Sequence, residues 1–165
     1  MRCLSVPLAL ITLLVMASEQ IAAGAKAVRP RLELLRRVPL FAGVDNKELE
    51  AISQIVDEIE APAGSVLTHE GRHEGYFFVI GSGSVRVERG GRTIKTLGDG
   101  DFLGEIALID GGPRTATATT ITPSRLLRMT HERFHQLLDH SPSIRTAVLE
   151  ELGRRLRSLD TESVY

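Results

Sequence analysis

Gly104-Glu105-Ile106-Ala107-Leu108-Ile109-Asp110-Gly111-Gly112-Pro113-Arg114-Thr115-Ala116-Thr117 is the stretch on which the reading of this 165-residue chain turns. A glycine stands directly before an acid, and an arginine follows that acid nine residues later. Such residues can build a seat for an anion. Gly104 lacks a Cβ and so admits a sharp turn or a closely approaching ligand. Glu105 to Leu108 can form one helical turn whose first amides point at negative charge. Arg114 offers a planar fork that matches phosphate oxygens two at a time, and Thr115 adds a hydroxyl. An acid is repelled by phosphate, so Glu105 suits a neutral donor such as a ribose hydroxyl. The competing reading is structural: Glu105 and Arg114 pair with each other across a turn, as most charge pairs do.

The flanks of this stretch decide the fold class. Twelve of the 15 glycines lie between Gly64 and Gly112 and cut that region into short pieces. Val66 to His69 is one strand. Tyr76-Phe77-Phe78-Val79-Ile80 is an apolar run suited to a strand buried on both faces. Ser84 to Glu88 alternates, with Val85 and Val87 on one side. Gly90-Gly91 marks a tight hairpin into Arg92 to Leu97. Thr115 to Ile121 and Ser124 to Met129 follow as further strands. Many short strands with regular turn signals indicate a barrel or jelly roll.

Helical patterns stand on either side. Arg31 to Val38 is a short helix closed by Pro39. Asp45 with Glu48 forms a capping-box pattern, and Leu49, Ile52, Ile55 and Val56 share one helical face ending near Asp57. Thr130 caps a helix through Leu138. Ser143 caps a last one with the stripe Val148, Leu149, Leu152, Leu156 and Leu159. The expected fold is mainly β, a jelly-roll barrel with N-terminal helices and two C-terminal helices.

Composition narrows the function. With 20 basic and 21 acidic residues the net charge is −1, which supplies no basic footprint for nucleic acid. The lone Cys3 excludes an internal disulfide framework. Residues 3–17 are apolar and uncharged, and this run fits a membrane anchor, a signal segment ending near Ala23-Gly24-Ala25, or a core helix. Lys26, Arg29, Arg31, Arg36 and Arg37 follow the run while Arg2 precedes it, which by the positive-inside rule puts the rest of the chain in the cytoplasm. The expected organisation is an apolar segment and connector over 1–30 and one domain over 31–165. The expected location is membrane-associated and cytoplasm-facing, with a soluble cytoplasmic protein as the alternative.

Gly-Glu-Ile-Ala-Leu followed by Pro-Arg-Thr-Ala-Thr resembles the phosphate-binding cassette of cyclic-nucleotide-binding domains. The resemblance extends to Phe41 and the Asp45 helix, Glu70-Gly71, Tyr76 to Val79, Gly81-Ser82-Gly83 and Gly98 to Phe102, over residues 38–159. It implies an eight-stranded jelly roll with helices at both ends. It implies that Glu105 holds the ribose hydroxyl, Arg114 the cyclic phosphate, and the amides of Ile106 and Ala107 the remaining oxygens. Leu103 stands where the family often has Phe, and Gly111-Gly112 loosens the loop. Thr115 bears on base selectivity, and the balance favours cAMP over cGMP as ligand.

The expected function is therefore a regulatory cyclic-nucleotide-binding module, without enzyme activity, catalytic residues, metal or cofactor. Leu152, Arg155 and Leu156 are candidates for a helical lid over the base. The sequence runs to Tyr165 without a helix-turn-helix or kinase pattern, so the expectation is a tethered sensor or a transporter or channel tail that binds no nucleic acid. A homodimer through the C-terminal helix is a further candidate. The alternatives are a structural module that binds no nucleotide and a metalloenzyme using His131, Glu132 and His135, whose spacing matches H-E-x-x-H. His69, His73 and Glu74 invite a metal-cupin reading but lack the His-x-His pair.

Overall fold

The computed structural model of the chain describes residues 30–162. The apolar run 3–17 and Tyr165 lie outside them. Residues 30–37 are helical (α1), and a 3-10 turn over Pro39–Phe41 leads to α2 (Asn46–Ile55). Strands β1 (Asp57–Ala61), β2 (Val66–Thr68), β3 (Tyr76–Ser82), β4 (Val85–Arg89), β5 (Arg92–Leu97) and β6 (Phe102–Leu103) come next. After the short α3 (Glu105–Asp110), β7 (Thr117–Thr120) and β8 (Ser124–Thr130) complete the β core, followed by α4 (His131–His140) and α5 (Pro142–Glu162). The strands form two antiparallel sheets, ordered β1-β8-β3-β6 and β2-β7-β4-β5. This is a jelly roll flanked by helices.

β3 sets the layering. Successive side chains on a strand point to opposite faces. Phe77 and Val79 join Leu127 and Met129 of β8 in a core with the helices, against Leu35, Phe41, Ile52, Phe134, Ile144 and Val148. Phe78 and Ile80 point the other way, into a second core with Val85, Leu97, Leu103, Ala118 and Leu126. The first sheet is thus covered on both sides, as the unbroken apolar run predicts.

Local chemistry ends the helices where expected, with exceptions. Asp45 Oδ1 accepts from the Glu48 amide at 2.8 Å, a cap worth about 1 kcal/mol. Thr130 caps α4 through the Arg133 amide at 3.4 Å, and α4 runs two residues past Leu138, to His140. The cap of α5 is Ser141 rather than Ser143: its Oγ accepts from the Ile144 amide at 3.3 Å. Pro142 then opens the helix, where a missing N–H loses nothing. Only part of the expected α5 stripe faces the core. Val148 is buried and Leu152 packs against the same cluster, whereas Leu149 and Leu156 are 61% and 64% exposed.

Two strands were not anticipated. β1 (Asp-Glu-Ile-Glu-Ala) has three acids in five residues and pairs with β8 along its whole length. β6 spans only two residues and is fixed by pairing with Phe78 and Val79. β7 is shorter than the expected Thr115–Ile121. Thr115 and Ala116 stand outside the ladder and offer their carbonyls to side chains, Thr115 O accepting from Arg89 Nε at 3.0 Å and Ala116 O from Thr68 Oγ1 at 3.1 Å.

Phe77 is 1% exposed, stacked 4.7 Å from Phe134 and tilted 5.6 Å from Phe102. Phe77→Ala is expected to cost about 3–5 kcal/mol in urea denaturation; a loss below about 1 kcal/mol contradicts this core assignment.

Candidate functional site

The barrel opens beside α3 into a cavity of about 390 Å³. Its walls come from β4 and β5, the segment around Arg114, α3 and one residue of α5, Arg155. Gly104, Glu105, Ile106, Ala107, Arg114 and Thr115 all line it. Of the three lid candidates, Arg155 reaches the cavity. Leu152 packs into the helical core instead, and Leu156 faces solvent.

Gly104 shapes the floor. It caps α3 with φ of 97° and ψ of −3°, a conformation that costs a glycine little and other residues much. The space its missing Cβ leaves is taken by Arg114. Arg114 Nη1 donates to Gly104 O at 2.9 Å, and Nη2 donates to Tyr76 O. The side chain is 3% exposed. Burial pulls the guanidinium down from its usual value, and the nearby carboxylates of Glu74 and Glu105 oppose that shift.

Glu105 does not pair with Arg114. Its Oε1 accepts from Arg155 Nη1 across from α5, which corrects the structural alternative of a pair across the turn. Arg155 also donates to Phe102 O at 3.2 Å, lies 5.0 Å over the Phe102 ring and bonds Glu151 at 3.0 Å. Glu105 is 1% exposed. Burial raises its carboxyl above the usual value, with Arg155 pulling it back down. One buried atom on each of Glu105 and Arg114 has no hydrogen-bond partner: Glu105 Oε2 and Arg114 Nε.

Sequence reasoning missed Glu74, which it set aside with His69 as a metal decoy. Glu74 Oε2 lies 3.9 Å from Arg114 Nε. Its other oxygen meets His69 Nδ1 at 2.7 Å, and the His69 amide donates to Oε2 at 3.0 Å. At Glu74 burial raises the carboxyl, but the His69 hydrogen bonds and the charges of His69 and Arg114 outweigh it and hold it below its usual value. A carboxylate 40 residues before the arginine leaves no local pattern to read. The apolar wall residue Val87 was legible in the alternation of β4. The His131 and His135 rings lie 4.3 Å apart at a tilt of 50°, and among the described residues no group of three or more His, Cys, Asp or Glu is placed to hold a metal ion.

The raised carboxyl of Glu105 has a consequence for stability. Such a group contributes fully below its unfolded value of about 4.3, and the contribution is lost as pH rises through the higher folded value. Glu105→Gln removes that loss. The stability of the variant relative to the unmutated chain, measured by urea denaturation from pH 4 to pH 8, is expected to improve as pH rises. A flat or falling difference contradicts the assignment.

Similarity to known proteins agrees with this geometry. The family model of the cyclic nucleotide-binding domain matches residues 58–141. A CRP-like cAMP-activated global transcriptional regulator of Mycobacterium tuberculosis is 32% identical over 130 residues, 76% of this chain and 58% of the regulator. A cyclic nucleotide-gated potassium channel of Rhizobium etli is 34% identical over 125 residues, 73% of this chain and 35% of the channel. The crystal structure of the Thermus thermophilus catabolite activator protein superposes with a TM-score of 0.70 at 31% identity, covering 75% of this chain and 61% of that one. The chain therefore spans less than two thirds of the length of each of these relatives. With a jelly roll, a cavity carrying an acid and an arginine on the expected elements, and a family match over more than half of the sequence, the chain belongs to the cyclic nucleotide-binding domain family.

Proposed function

We propose that this chain is a regulatory module that takes a cyclic nucleotide into the cavity beside α3, with cAMP preferred over cGMP. The observation that carries the reading is the pair of unsatisfied buried atoms, Glu105 Oε2 and Arg114 Nε, on side chains lining one cavity. A buried polar atom without a partner costs about 1–3 kcal/mol. A ligand offering a hydroxyl to the carboxylate and an anionic oxygen to the guanidinium removes both costs at once. Glu105 then holds the ribose hydroxyl and Arg114 the phosphate, as in a phosphate-binding cassette. Ile106 and Ala107 supply amides, Gly104 the turn beneath them, and Thr115 a flanking hydroxyl. The preference for cAMP rests on the similarity to a cAMP-activated regulator.

Regulation follows from Arg155. It holds the Glu105 oxygen that the ligand does not use, so occupancy at Oε2 bears on α5. The ligand shifts α5 only by as much as its affinity differs between the two positions of the helix. Arg155 is the lid residue of this scheme. The exposed Leu149 and Leu156 offer α5 a self-pairing face for a homodimer. The net charge of −1 supports a module that does not itself touch nucleic acid. The proposed division into an apolar segment over 1–30 and a domain over 31–165, tethered to the cytoplasmic face of a membrane, rests on the composition of residues 3–17. Fractionation of cells expressing the full chain tests it, and recovery in the soluble fraction alone refutes it.

Calorimetric titration of the full chain with cAMP and cGMP tests the ligand. Saturable binding is expected, and Arg114→Ala is expected to lose about 2–5 kcal/mol of it. No heat with either nucleotide on the unmutated chain sinks the reading and leaves a scaffold of the same fold.

A further inference from the structure

Residues 69–75 join β2 to β3, and this loop grips Arg114 at both its backbone and its side chain. The Arg114 amide donates to Arg72 O and its carbonyl accepts from Gly71 N, both at 2.8 Å. Glu74 Oε2 lies 3.9 Å from Arg114 Nε, a nitrogen that has no hydrogen bond. Glu74 is itself held by the first residue of the loop. The His69 amide donates to Oε2 at 3.0 Å, and ring Nδ1 donates to Oε1 at 2.7 Å.

An ionised carboxylate only accepts. Nδ1 therefore carries its hydrogen in both protonation states of the ring, and the proton that charges the ring arrives at Nε2. The three side chains run from solvent to interior: His69 is 43% exposed, Glu74 23% and Arg114 3%. A neutral donor such as asparagine would serve Glu74 equally well. Imidazole adds a charge that comes and goes near neutral pH.

We propose that His69 is a positioning residue for the phosphate site, acting through Glu74, and that it links nucleotide binding to proton uptake. The proposal rests on the cyclic-nucleotide reading above. A phosphate oxygen arriving at Arg114 Nε comes up beside the Glu74 carboxylate, and like charges at that range repel. With the ring neutral, the charges of Arg114 and Glu74 cancel. With the ring protonated, His69 offsets Glu74 and the trio is net positive. The phosphodiester then binds more tightly, and by reciprocity its binding strengthens the ring's hold on the proton. Affinity therefore rises as pH falls through the range in which imidazole titrates.

Other charges surround this cluster. On the loop, Glu70 accepts from the Gly90 amide at 2.8 Å, and Arg72 and His73 are exposed. His131 of α4 meets the loop through its amide, which donates to Gly75 O at 2.8 Å. Arg89 of β4 binds Thr115 O. Glu105 of α3 acts on Arg114 and is itself under the charges of Arg155 and Glu151 on α5. All of these remain when residue 69 alone is changed, so their own titration cancels in the comparison.

Calorimetric titration of the full chain with cAMP from about pH 8 to about pH 5.5 tests this, beside His69→Asn and His69→Lys. Asparagine keeps a neutral donor for Glu74, and lysine brings a charge that stays on throughout that range. The ring is half-exposed, so neither variant challenges the fold. At the acid end the unmutated chain is expected to bind cAMP about fivefold more tightly than His69→Asn, with the gap closing towards the alkaline end. His69→Lys is expected to hold the acid-end affinity across the range. A His69→Asn variant that follows the unmutated chain at every pH overturns the proposal. So does one that weakens binding equally at every pH, which is what a purely structural role gives. In both cases the cyclic-nucleotide reading stands. Failure of the unmutated chain to bind either cAMP or cGMP overturns that reading, and this inference falls with it.

Discussion

A methyl group at residue 104 would stand 2.5 Å from Arg114 Nη1 and 2.7 Å from the carbonyl oxygen of Tyr76. Glycine is required there twice over, by that crowding and by a φ of +97°. The space it leaves allows one guanidinium to bridge the start of α3 and the start of β3. Taking an arginine out of water costs several kcal/mol before compensation. Here two backbone carbonyls meet that cost, with the charges of the more distant Glu74 and of Glu105 helping and no direct bond from Glu105. The acid and the arginine of the central stretch are held in one cavity without being spent on each other.

Under the proposed function, that separation is what lets the cavity take a ligand. A mutual ion pair would have satisfied both side chains and left nothing to recruit a ligand. Instead Arg114 is braced from the barrel side through Gly104, Tyr76 and Glu74, and Glu105 from the helical side through Arg155. Each bracing leaves one buried polar atom without a hydrogen bond, Glu105 Oε2 and Arg114 Nε, the latter keeping only its longer ion pair with Glu74. The two leftover atoms differ in kind, one acceptor and one donor. A ligand that is anionic at one end and carries a hydroxyl at the other matches them, and a simple anion does not.

Much of this was legible in residues close together in sequence. The five-residue apolar run in β3, the Gly90-Gly91 turn and the alternation of β4 gave the sheets, and the spacing of Glu105 and Arg114 gave the centre of the cavity. What escaped depends on distance along the chain. β1 is strongly acidic and becomes a strand only because β8 is there to pair with it. Glu74 reaches the centre from 40 residues before Arg114, and its side chain does not differ locally from a solvated charge; Arg155 was named as a lid candidate, but its pairing with Glu105, 50 residues away, was not. The same limit explains α5, where the sequence stripe marks five apolar positions and only the packing tells Val148 from Leu149.

The distribution of burial also says which parts can answer a ligand. The sheet holding β3 and β8 is packed on both faces, so shifting it disturbs two cores at once, and close-packed interiors resist that. α3 is different. It is a helix of six residues bounded by left-handed glycines, Gly104 and Gly111, with Ile106 and Ile109 exposed. α5 packs through Ile144 and Val148 near its start, and further along Leu156 faces solvent. Glu105 on α3 and Arg155 on α5 join these two weakly held elements across the cavity mouth. In the proposed scheme a ligand at Glu105 acts on this pair of elements, with the doubly packed sheet as the fixed body.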